Sequence, residues 1–262
     1  LDLLGETPAE KRENRGNRLS RAVKLQSRDD LRGLIEEGID LNIRGYENQT
    51  ALETAGRYGY RSMFQALLDG GADPNVSVLD GSPLQYANIR VSAIHLRRQR
   101  ELDEDADASI PLVASAFLAG NSYMLERLLQ AGADPNARSA SGDTTLHLAH
   151  AANRMLRQVA RVILDGGADP NLTNSAGYTP MTLAAKRRSI DIIRILNDRG
   201  VDINAPDREG RTALSQALEY GVSFRDKKEL IELGAAPSEA DVATARRTGN
   251  YLLVKLITDA QK

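Results

Sequence analysis

Residues 168–204 read ADPNLTNSAGYTPMTLAAKRRSIDIIRILNDRGVDIN, and the motifs in this stretch return along the chain. Its opening motif, Ala-Asp-Pro-Asn, also occurs at 72–75 and 133–136, with relatives at 39–42 and 201–204. The shared aspartates are separated by 33, 61, 35 and 33 residues. A second motif, a threonine that opens a short apolar run, starts at Thr50, Thr144, Thr179 and Thr212. Two motifs in one register predict a protein built from repeats of about 33 residues.

One repeat is predicted to contain a turn, two helices and a second turn. Gly177 can adopt the positive φ that the first turn requires. Thr179 is suited to cap a helix, and Pro180 suits the first helical position, where a missing N–H costs nothing. We predict a first helix over 181–187 and a second over 190–197, the latter with one apolar side. Such a repeat cannot bury its apolar side alone, so we expect neighbouring copies to stack.

This combination of motifs resembles the ankyrin repeat. The resemblance rests on residues 144–149 (TTLHLA), on residues 67–75 (LLDGGADPN) and on their counterparts, and it covers 18–262. It implies an all-α fold, an ankyrin-repeat α-solenoid of stacked helix pairs with β-hairpin-like loops along one edge. It also implies a protein–protein interaction module or scaffold, whose partner docks on the concave face and the hairpin tips.

The repeats divide the chain unevenly. We predict an N-terminal tail or lead-in at 1–17, a degenerate repeat at 18–42, full repeats at 43–75, 76–136, 137–171, 172–204 and 205–237, and a C-terminal capping repeat at 238–262. The repeat at 76–136 is longer than the others and carries an insertion at about 88–110. The candidate contact residues in this insertion are Arg97, Arg98, Arg100, Asp103 and Glu104.

The C-terminal repeat has its own helix signals. We expect Ser238 to cap a helix that runs to Arg247, and a turn at 249–250 to lead into a helix at 251–260. An end repeat needs a polar outer side, because no further copy covers it. The basic residues that fit this role are Arg246, Arg247, Lys255 and Lys262.

Composition narrows the function classes. The chain has 34 Lys and Arg against 36 Asp and Glu, so it lacks the basic excess of a nucleic-acid-binding protein. It has no cysteine, which excludes disulfides, thiolate metal sites and a cysteine nucleophile. No apolar run reaches the ~18–20 residues that cross a bilayer. Phosphate-binding loops and nucleophile elbows are missing too, so we expect no enzyme, no cofactor, and no nucleic-acid or membrane partner.

The histidines suggest one alternative to a binding role, a metal site. His147 and His150 lie three residues apart on one short helix, near Asp143, and could hold a metal. The resemblance favours a structural role, because His147 occupies the position at which the histidine of the repeat bonds backbone between copies. His95 lies in the insertion and is interpreted as a partly exposed side chain. We therefore predict no metal site.

The partner-binding residues follow from the resemblance, position by position. They lie at the hairpin tips and the ends of the first helices: Tyr46, Glu47, Gln49, Arg57, Tyr58, Ser141, Asp143, Tyr178, Lys186, Arg187, Arg208, Glu209, Arg211 and Tyr220. Tyrosine and arginine are the side chains that interface hot spots favour. The basic residues in the repeats at 172–204 and 205–237 predict a protein partner with an acidic patch. We expect the protein to be a monomer on its own.

Two alternative functions stay open. The protein could be an inhibitor or immunity-type protein that blocks a partner enzyme, with the insertion acting as a wedge. It could also be the regulatory ankyrin domain of a larger effector, which a chain beginning at Leu1 permits. A cytoplasmic location is favoured, and a periplasmic or host-delivered protein is not excluded by a cysteine-free chain.

Overall fold

The computed structural model describes residues 8–78, 110–111, 116, 122–139, 141–150 and 154–261. The chain forms two compact units, unit 1 (residues 1–140) and unit 2 (residues 141–262). Both are built from helix pairs joined by hairpin-like loops, as predicted. Within the described ranges, no helix is long and apolar enough to cross a membrane.

Apart from Pro8–Lys24 and Arg154–Asp165, the helices of the described ranges have seven to nine residues. Unit 1 contains α1 (Pro8–Lys24), α2 (Arg28–Glu36), a 3-10 turn (Tyr46–Asn48), α3 (Ala51–Tyr58), α4 (Arg61–Asp69), β1 (Ser77–Val78), β2 (Ile110–Pro111) and α5 (Ser122–Gln130). Unit 2 contains a 3-10 turn (His147–His150), α6 (Arg154–Asp165), α7 (Pro180–Lys186), α8 (Ile190–Asp198), α9 (Ala213–Glu219), α10 (Phe224–Glu232), α11 (Glu239–Arg247) and α12 (Tyr251–Asp259). Helices of seven to nine residues, such as α7 and α8, need tertiary packing to be stable.

Reciprocal caps start three of the first helices, at Thr50, Thr179 and Ser238. The Thr179 hydroxyl accepts a hydrogen bond from the Thr182 amide at 3.2 Å, and the Thr182 hydroxyl accepts one from the Thr179 amide at 2.9 Å. Ser238 and Asp241 form the same arrangement at the start of α11. A cap of this kind stabilises a helix by about 1 kcal/mol. The predicted cap at Thr179 and the predicted helix from Ser238 to Arg247 are confirmed.

Helices α7 and α9 pack side by side. Both carry small buried side chains: Ala184, Ala185, Ala213 and Ala217. Behind them, α8 buries the apolar side that its spacing predicts, consisting of Ile192, Ile193, Ile195 and Leu196. Full burial of one such side chain stabilises the fold by about 1.5–3 kcal/mol. Packing between successive helix pairs therefore supplies the core of unit 2.

Polar contacts hold successive repeats in register along the Asp-x-Asn loops. In each loop the aspartate accepts a hydrogen bond from the amide two residues later, as Asp73 does from Asn75 at 2.8 Å. At Asn42, Asn75 and Asn204 the asparagine side chain also accepts a bond from the backbone of the following repeat. Asn42 Oδ1 accepts from the Asp73 amide at 2.8 Å, and Asn204 Oδ1 accepts from the Ala236 amide at 2.7 Å. The repeated motif thus forms an inter-repeat contact as well as a turn.

The same contact spans the long repeat of unit 1. Asn75 Oδ1 accepts a bond from the Asp134 amide at 2.7 Å, although 59 residues separate the two. Strands β1 and β2 pair antiparallel, with Val78 opposite Ile110. The residues that flank 79–109, Val78 and Ile110, therefore lie side by side. The register between repeats is preserved across the extra sequence.

His147 provides a second kind of contact between repeats. Its Nε2 lies 2.8 Å from the carbonyl oxygen of Tyr178, which is 31 residues further along the chain. Its Nδ1 accepts a hydrogen bond from the Thr144 amide at 3.2 Å, so the proton of the neutral ring is on Nε2. The predicted role, a buried histidine that bonds backbone between repeats, is confirmed.

Helix α1 starts well before the first recognisable repeat. The segment 1–17 was predicted to be a tail or lead-in, whereas its residues from Pro8 onward belong to α1. No repeat motif marks this start. The helix crosses the loop at Arg44 so closely that a Cβ on Gly16 would lie 2.9 Å from the Arg44 carbonyl carbon. Only glycine permits this approach.

The outer side of α12 is only partly polar. Arg246, Arg247 and Lys255 are exposed, as an end repeat requires. Tyr251 and Leu252 are exposed as well, at 76% and 63%. The expectation of a polar outer side therefore holds for these three basic residues alone, and Lys262 lies outside the described residues.

Replacing Asn75 by alanine should lower the free energy of unfolding by about 1 kcal/mol, because the Asp134 amide loses its acceptor. Asn197→Ala is the matched control, since the Asn197 side chain forms no hydrogen bond within the described part of the chain. Urea unfolding followed by circular dichroism measures both variants. Equal stability of the two variants would contradict a stabilising role for the Asn75 contact.

Replacing His147 by phenylalanine should cost about 2 kcal/mol, because the Tyr178 carbonyl and the Thr144 amide lose their partner. His147→Thr separates the two bonds. Threonine occupies the equivalent position at Thr182 and can restore the cap, but it is too short to reach Tyr178. The threonine variant should therefore lie between wild type and the phenylalanine variant in thermal and urea unfolding. Wild-type stability of His147→Phe would refute the structural role.

Candidate functional site

Predicted contact residues meet in pairs in unit 2. In two successive repeats, the residue just before the cap of the first helix contacts a residue eight positions later, at the end of that helix. Tyr178 Oη accepts a hydrogen bond from Lys186 Nζ at 2.7 Å. Arg211 Nη1 lies 3.4 Å from Glu219 Oε2. The first member of each pair precedes the N-cap and the second is the last residue of the helix, so the two pairs occupy the same place in successive repeats.

These pairs join across the repeats into a cation–tyrosine cluster, formed by Tyr178, Lys186, Arg211 and Tyr220. Lys186 Nζ lies 4.3 Å from the ring centroid of Tyr178 and 4.5 Å from that of Tyr220. Arg211 Cζ lies 5.6 Å from the Tyr178 centroid. Each cation–ring contact at an exposed site is worth about 0.5–1 kcal/mol. The cluster thus brings together four predicted residues from two repeats in one ordered arrangement.

The hydrogen bond between Tyr178 and Lys186 changes the acidity of both groups. The pKa of Tyr178 is lowered, chiefly because Lys186 donates a hydrogen bond to its hydroxyl. Burial acts to lower the pKa of Lys186, but its hydrogen bonds to Tyr178 and Tyr220 outweigh burial and the pKa is raised. Lys186 therefore stays charged at neutral pH while half-buried between two rings.

Carboxylates of the protein neutralise the charge of Arg211 but not that of the other cations on this surface. The carboxylates around Arg211 are those of Asp207 at 3.4 Å, Glu209 at 2.8 Å and Glu219 at 3.4 Å. In the described chain no carboxylate contacts Lys186, Arg187 or Arg208. Arg208 instead donates to the carbonyl oxygen of Ser175 at 3.3 Å. The surface beside the cluster therefore carries positive charge that the protein itself does not neutralise.

Unit 1 has a smaller group of exposed aromatic side chains. Tyr46 lies 5.6 Å from Lys24 Nζ, which also pairs with the Glu47 carboxylate at 3.4 Å. Tyr58 stacks on Tyr60, with ring centroids 5.6 Å apart. Sequence reasoning missed Lys24 and Tyr60, because it considered only the hairpin tips and first-helix ends of full repeats. Lys24 ends α1 and Tyr60 precedes α4.

Two predicted contact residues, Gln49 and Asp143, are buried within the hairpin loops. The Gln49 side-chain oxygen accepts hydrogen bonds from Arg57 Nη2 at 3.0 Å and Nε at 3.3 Å, once its amide is oriented toward that guanidinium. Asp143 accepts from Asn174 Nδ2 at 2.7 Å and from Ser141 Oγ at 2.9 Å. Their polar atoms are bonded inside the loops, and their assignment to the contact surface stays a prediction. Ser141 itself remains exposed.

The remaining candidates divide into two groups. The insertion residues lie outside the described residues, as does His95: Arg97, Arg98, Arg100, Asp103 and Glu104. A metal at His147 is contradicted, because both of its ring nitrogens are bonded to protein atoms. Among the described residues no three or more His, Asp or Glu side chains are grouped to hold a metal ion.

A second cation–aromatic group lies on the second helices of unit 1, where no contact was predicted. Arg61 Cζ lies 4.9 Å and Arg127 Cζ lies 5.4 Å from the ring centroid of Tyr123. Helices α4 and α5 position these side chains. This group also combines cations with a tyrosine. It lies on second helices, however, whereas the cation–tyrosine cluster lies at hairpin tips and first-helix ends.

Sequence comparison identifies the repeats and several relatives. A family model of ankyrin repeats (3 copies) matches residues 112–207 and 146–241. The chain is 24% identical to the E3 ubiquitin-protein ligase KEG of Arabidopsis thaliana, over 84% of this chain and 15% of that protein. It is 37% identical to Protein PhlB of Serratia liquefaciens, over 49% of this chain and 60% of that protein. Neurogenic locus notch homolog protein 1 of Danio rerio is 34% identical over 64% of this chain and 7% of its own length. The chain spans only part of each of these relatives.

Structure comparison gives the same fold. The ankyrin repeat domain of Bcl-3, a member of the IkappaB protein family, matches with a TM-score of 0.69 and 22% identity. The match covers 97% of this chain and 99% of that domain. Registered motifs, capped helix pairs, hairpin-like loops and the family match agree on an all-α ankyrin-repeat solenoid. This chain therefore belongs to the ankyrin repeat family.

Proposed function

We propose that this protein is a non-catalytic interaction module that binds a partner protein through the exposed hairpin tips and first-helix ends of unit 2. The observation that carries the proposal is the cation–tyrosine cluster. Lys186 is held by Tyr178 and Tyr220 before any partner arrives. Side chains that are already ordered lose little conformational entropy on docking. Tyrosine and arginine are also the residues in which interface hot spots are enriched.

The charge of this surface supports a partner with an acidic patch. Lys186, Arg187 and Arg208 have no carboxylate partner in the described chain, whereas Arg211 has three. Opposite charge on a partner would steer its approach and fix its register. The same positive surface would disfavour basic partners, which gives selectivity.

The relatives support an interaction role as part of a larger protein. KEG is named as a ubiquitin ligase, and this chain aligns with 15% of it. The zebrafish notch homolog aligns over 7% of its length. These small shares favour a second candidate, a regulatory repeat domain of a longer effector. They transfer no ligase activity to this chain, and binding through unit 2 is common to both candidates.

Substituting three residues at the first-helix ends of unit 2, as Lys186→Ala/Arg187→Ala/Tyr220→Ala, should reduce capture of the partner from the native source about tenfold or more. The matched control, Arg61→Ala/Tyr123→Ala/Arg127→Ala, removes the same residue types from the second helices of unit 1. Quantitative mass spectrometry of the captured proteins measures the effect, and thermal unfolding verifies that both variants are folded. The control should retain the partner.

A third variant examines the inhibitor alternative, in which the insertion acts as a wedge. Because Val78 and Ile110 are paired, an Asn-Gly turn can replace 79–109 between them. Loss of the partner in this variant alone would move the binding site to the insertion. Equal capture by all three variants would contradict binding through unit 2.

A further inference from the structure

The hairpin tips of unit 2 are bonded to one another through the backbone. The Ser175 amide donates to the Ser141 carbonyl oxygen at 3.2 Å, and the Arg208 amide donates to the Gly177 carbonyl oxygen at 3.0 Å. Each donor lies four residues before the cap threonine of its repeat, and each acceptor lies in the hairpin of the preceding repeat. Successive hairpins therefore form a row, in which each hairpin lies against an edge of the one before it.

A glycine two residues before the cap lies beneath the next hairpin. A Cβ on Gly142 would lie 2.8 Å from the Ser175 amide nitrogen, and a Cβ on Gly177 would lie 2.9 Å from the Cβ of Arg208. Gly210 occupies the same position in the next repeat, and its φ of 77° lies between the 73° and 87° of the other two glycines. Around a Cβ on Gly210, however, the space is open to 4 Å, and the residue is exposed.

The row of hairpins ends at Gly210, since the last repeat has no hairpin of its own. Twelve residues lead from Gly200 to the cap Thr212, whereas only four lead from Gly234 to the cap Ser238. Within the described part of the chain, the Gly210 carbonyl oxygen accepts no hydrogen bond. An exposed acceptor beside open space is what an unpaired edge offers to another polypeptide segment.

We propose that an extended segment of the partner protein pairs with this open edge and donates a backbone N–H to the Gly210 carbonyl oxygen. This inference rests on the proposed function. Ser175 and Arg208 show what such an edge accepts, because each donates its amide and lays its own atoms against the glycine of the preceding hairpin. Addition of an extended segment to an exposed edge is a common mode of peptide recognition, in which main-chain bonds supply affinity.

Two features favour a partner protein over a second copy of this chain. Arg211, which follows Gly210, belongs to the cation–tyrosine cluster, so a partner that docks on the cluster lies beside the open edge. Arg208, in the same hairpin, carries a charge that no carboxylate of the described chain neutralises. Two copies paired at this edge would bring these positive charges together, whereas an acidic partner would offset them.

Gly210→Asn should block the edge and keep the turn, because asparagine tolerates a positive φ and its side chain would fill the open space. The matched control is Gly200→Asn, at the end of α8, with φ of 76° and equally open surroundings. Overlapping peptides of about 15 residues from the captured protein serve as probes in fluorescence anisotropy. One peptide should bind wild type and Gly200→Asn equally, and Gly210→Asn about tenfold more weakly.

Filling the edge from within the chain gives a second measurement. Replacing 235–237 by a copy of 201–211 supplies the hairpin that the last repeat lacks. This variant should lose the peptide. Gly210→Asn should also lower its Tm by about 2 °C more than it lowers that of wild type, because the added hairpin lies against Gly210. Equal effects of Gly210→Asn in the two backgrounds would mean that the edge accepts no hairpin, which overturns the inference.

Other outcomes overturn the inference in distinct ways. Unchanged peptide binding by Gly210→Asn would move the segment to another surface. Capture of the intact partner without binding of any peptide would exclude an extended segment. A wild-type dimer that dissociates in Gly210→Asn, measured by analytical ultracentrifugation, would assign the edge to a second copy of the chain.

Failure of the proposed function looks different from failure of this inference. The proposed function fails if the Lys186/Arg187/Tyr220 variant captures the partner as wild type does. If that variant loses the partner while Gly210→Asn binds the peptides and the partner normally, binding through unit 2 stands and pairing at the edge is refuted.

Discussion

A helix of seven to nine residues is not stable alone in water, and a pair of such helices cannot bury its own apolar side. The rest of this structure depends on that constraint. Side chains such as Ile193 become buried only because a neighbouring helix pair covers them. Polar contacts then fix how the pairs stack, through Asn42 and Asn204 in the loops and through His147 at the start of a helix. Burial supplies the stability, and these directional bonds supply the register.

Backbone hydrogen bonds and core packing fix the register of the repeats. The residue type at other positions can therefore vary. The hairpin loops of unit 2 are closed by the same bond, from the Asn174 amide to the Tyr178 carbonyl and from the Asp207 amide to the Arg211 carbonyl, both at 2.9 Å. The residue before the helix cap therefore has one backbone geometry and many identities. In this chain the position holds Gln49, Asp143, Tyr178 and Arg211. Two of them bond within the loops and two build the cation–tyrosine cluster, so one position can carry different side-chain contacts without altering the fold.

Local signals made most of the fold predictable from the sequence. The cap at Thr179 and the period of α8 lie within a few residues of the structure that they specify. The start of α1 was not predictable, because it depends on contact with a loop near Arg44 rather than on a motif. Burial of Asp143 escaped prediction for the same kind of reason, since its partner Asn174 belongs to the next loop. The pairing of Tyr178 with Lys186 was expected only as a shared surface, and its geometry required the packed helices.

Backbone hydrogen exchange, measured with and without the partner, locates the docking surface on the whole chain. Binding through unit 2 predicts slower exchange in the loops at 174–178 and 207–211 and at the first-helix ends around Lys186 and Tyr220. Exchange in α4 and α5 should stay unchanged. Slowing confined to α4 and α5, or to 79–109, would contradict a partner that docks on the cation–tyrosine cluster.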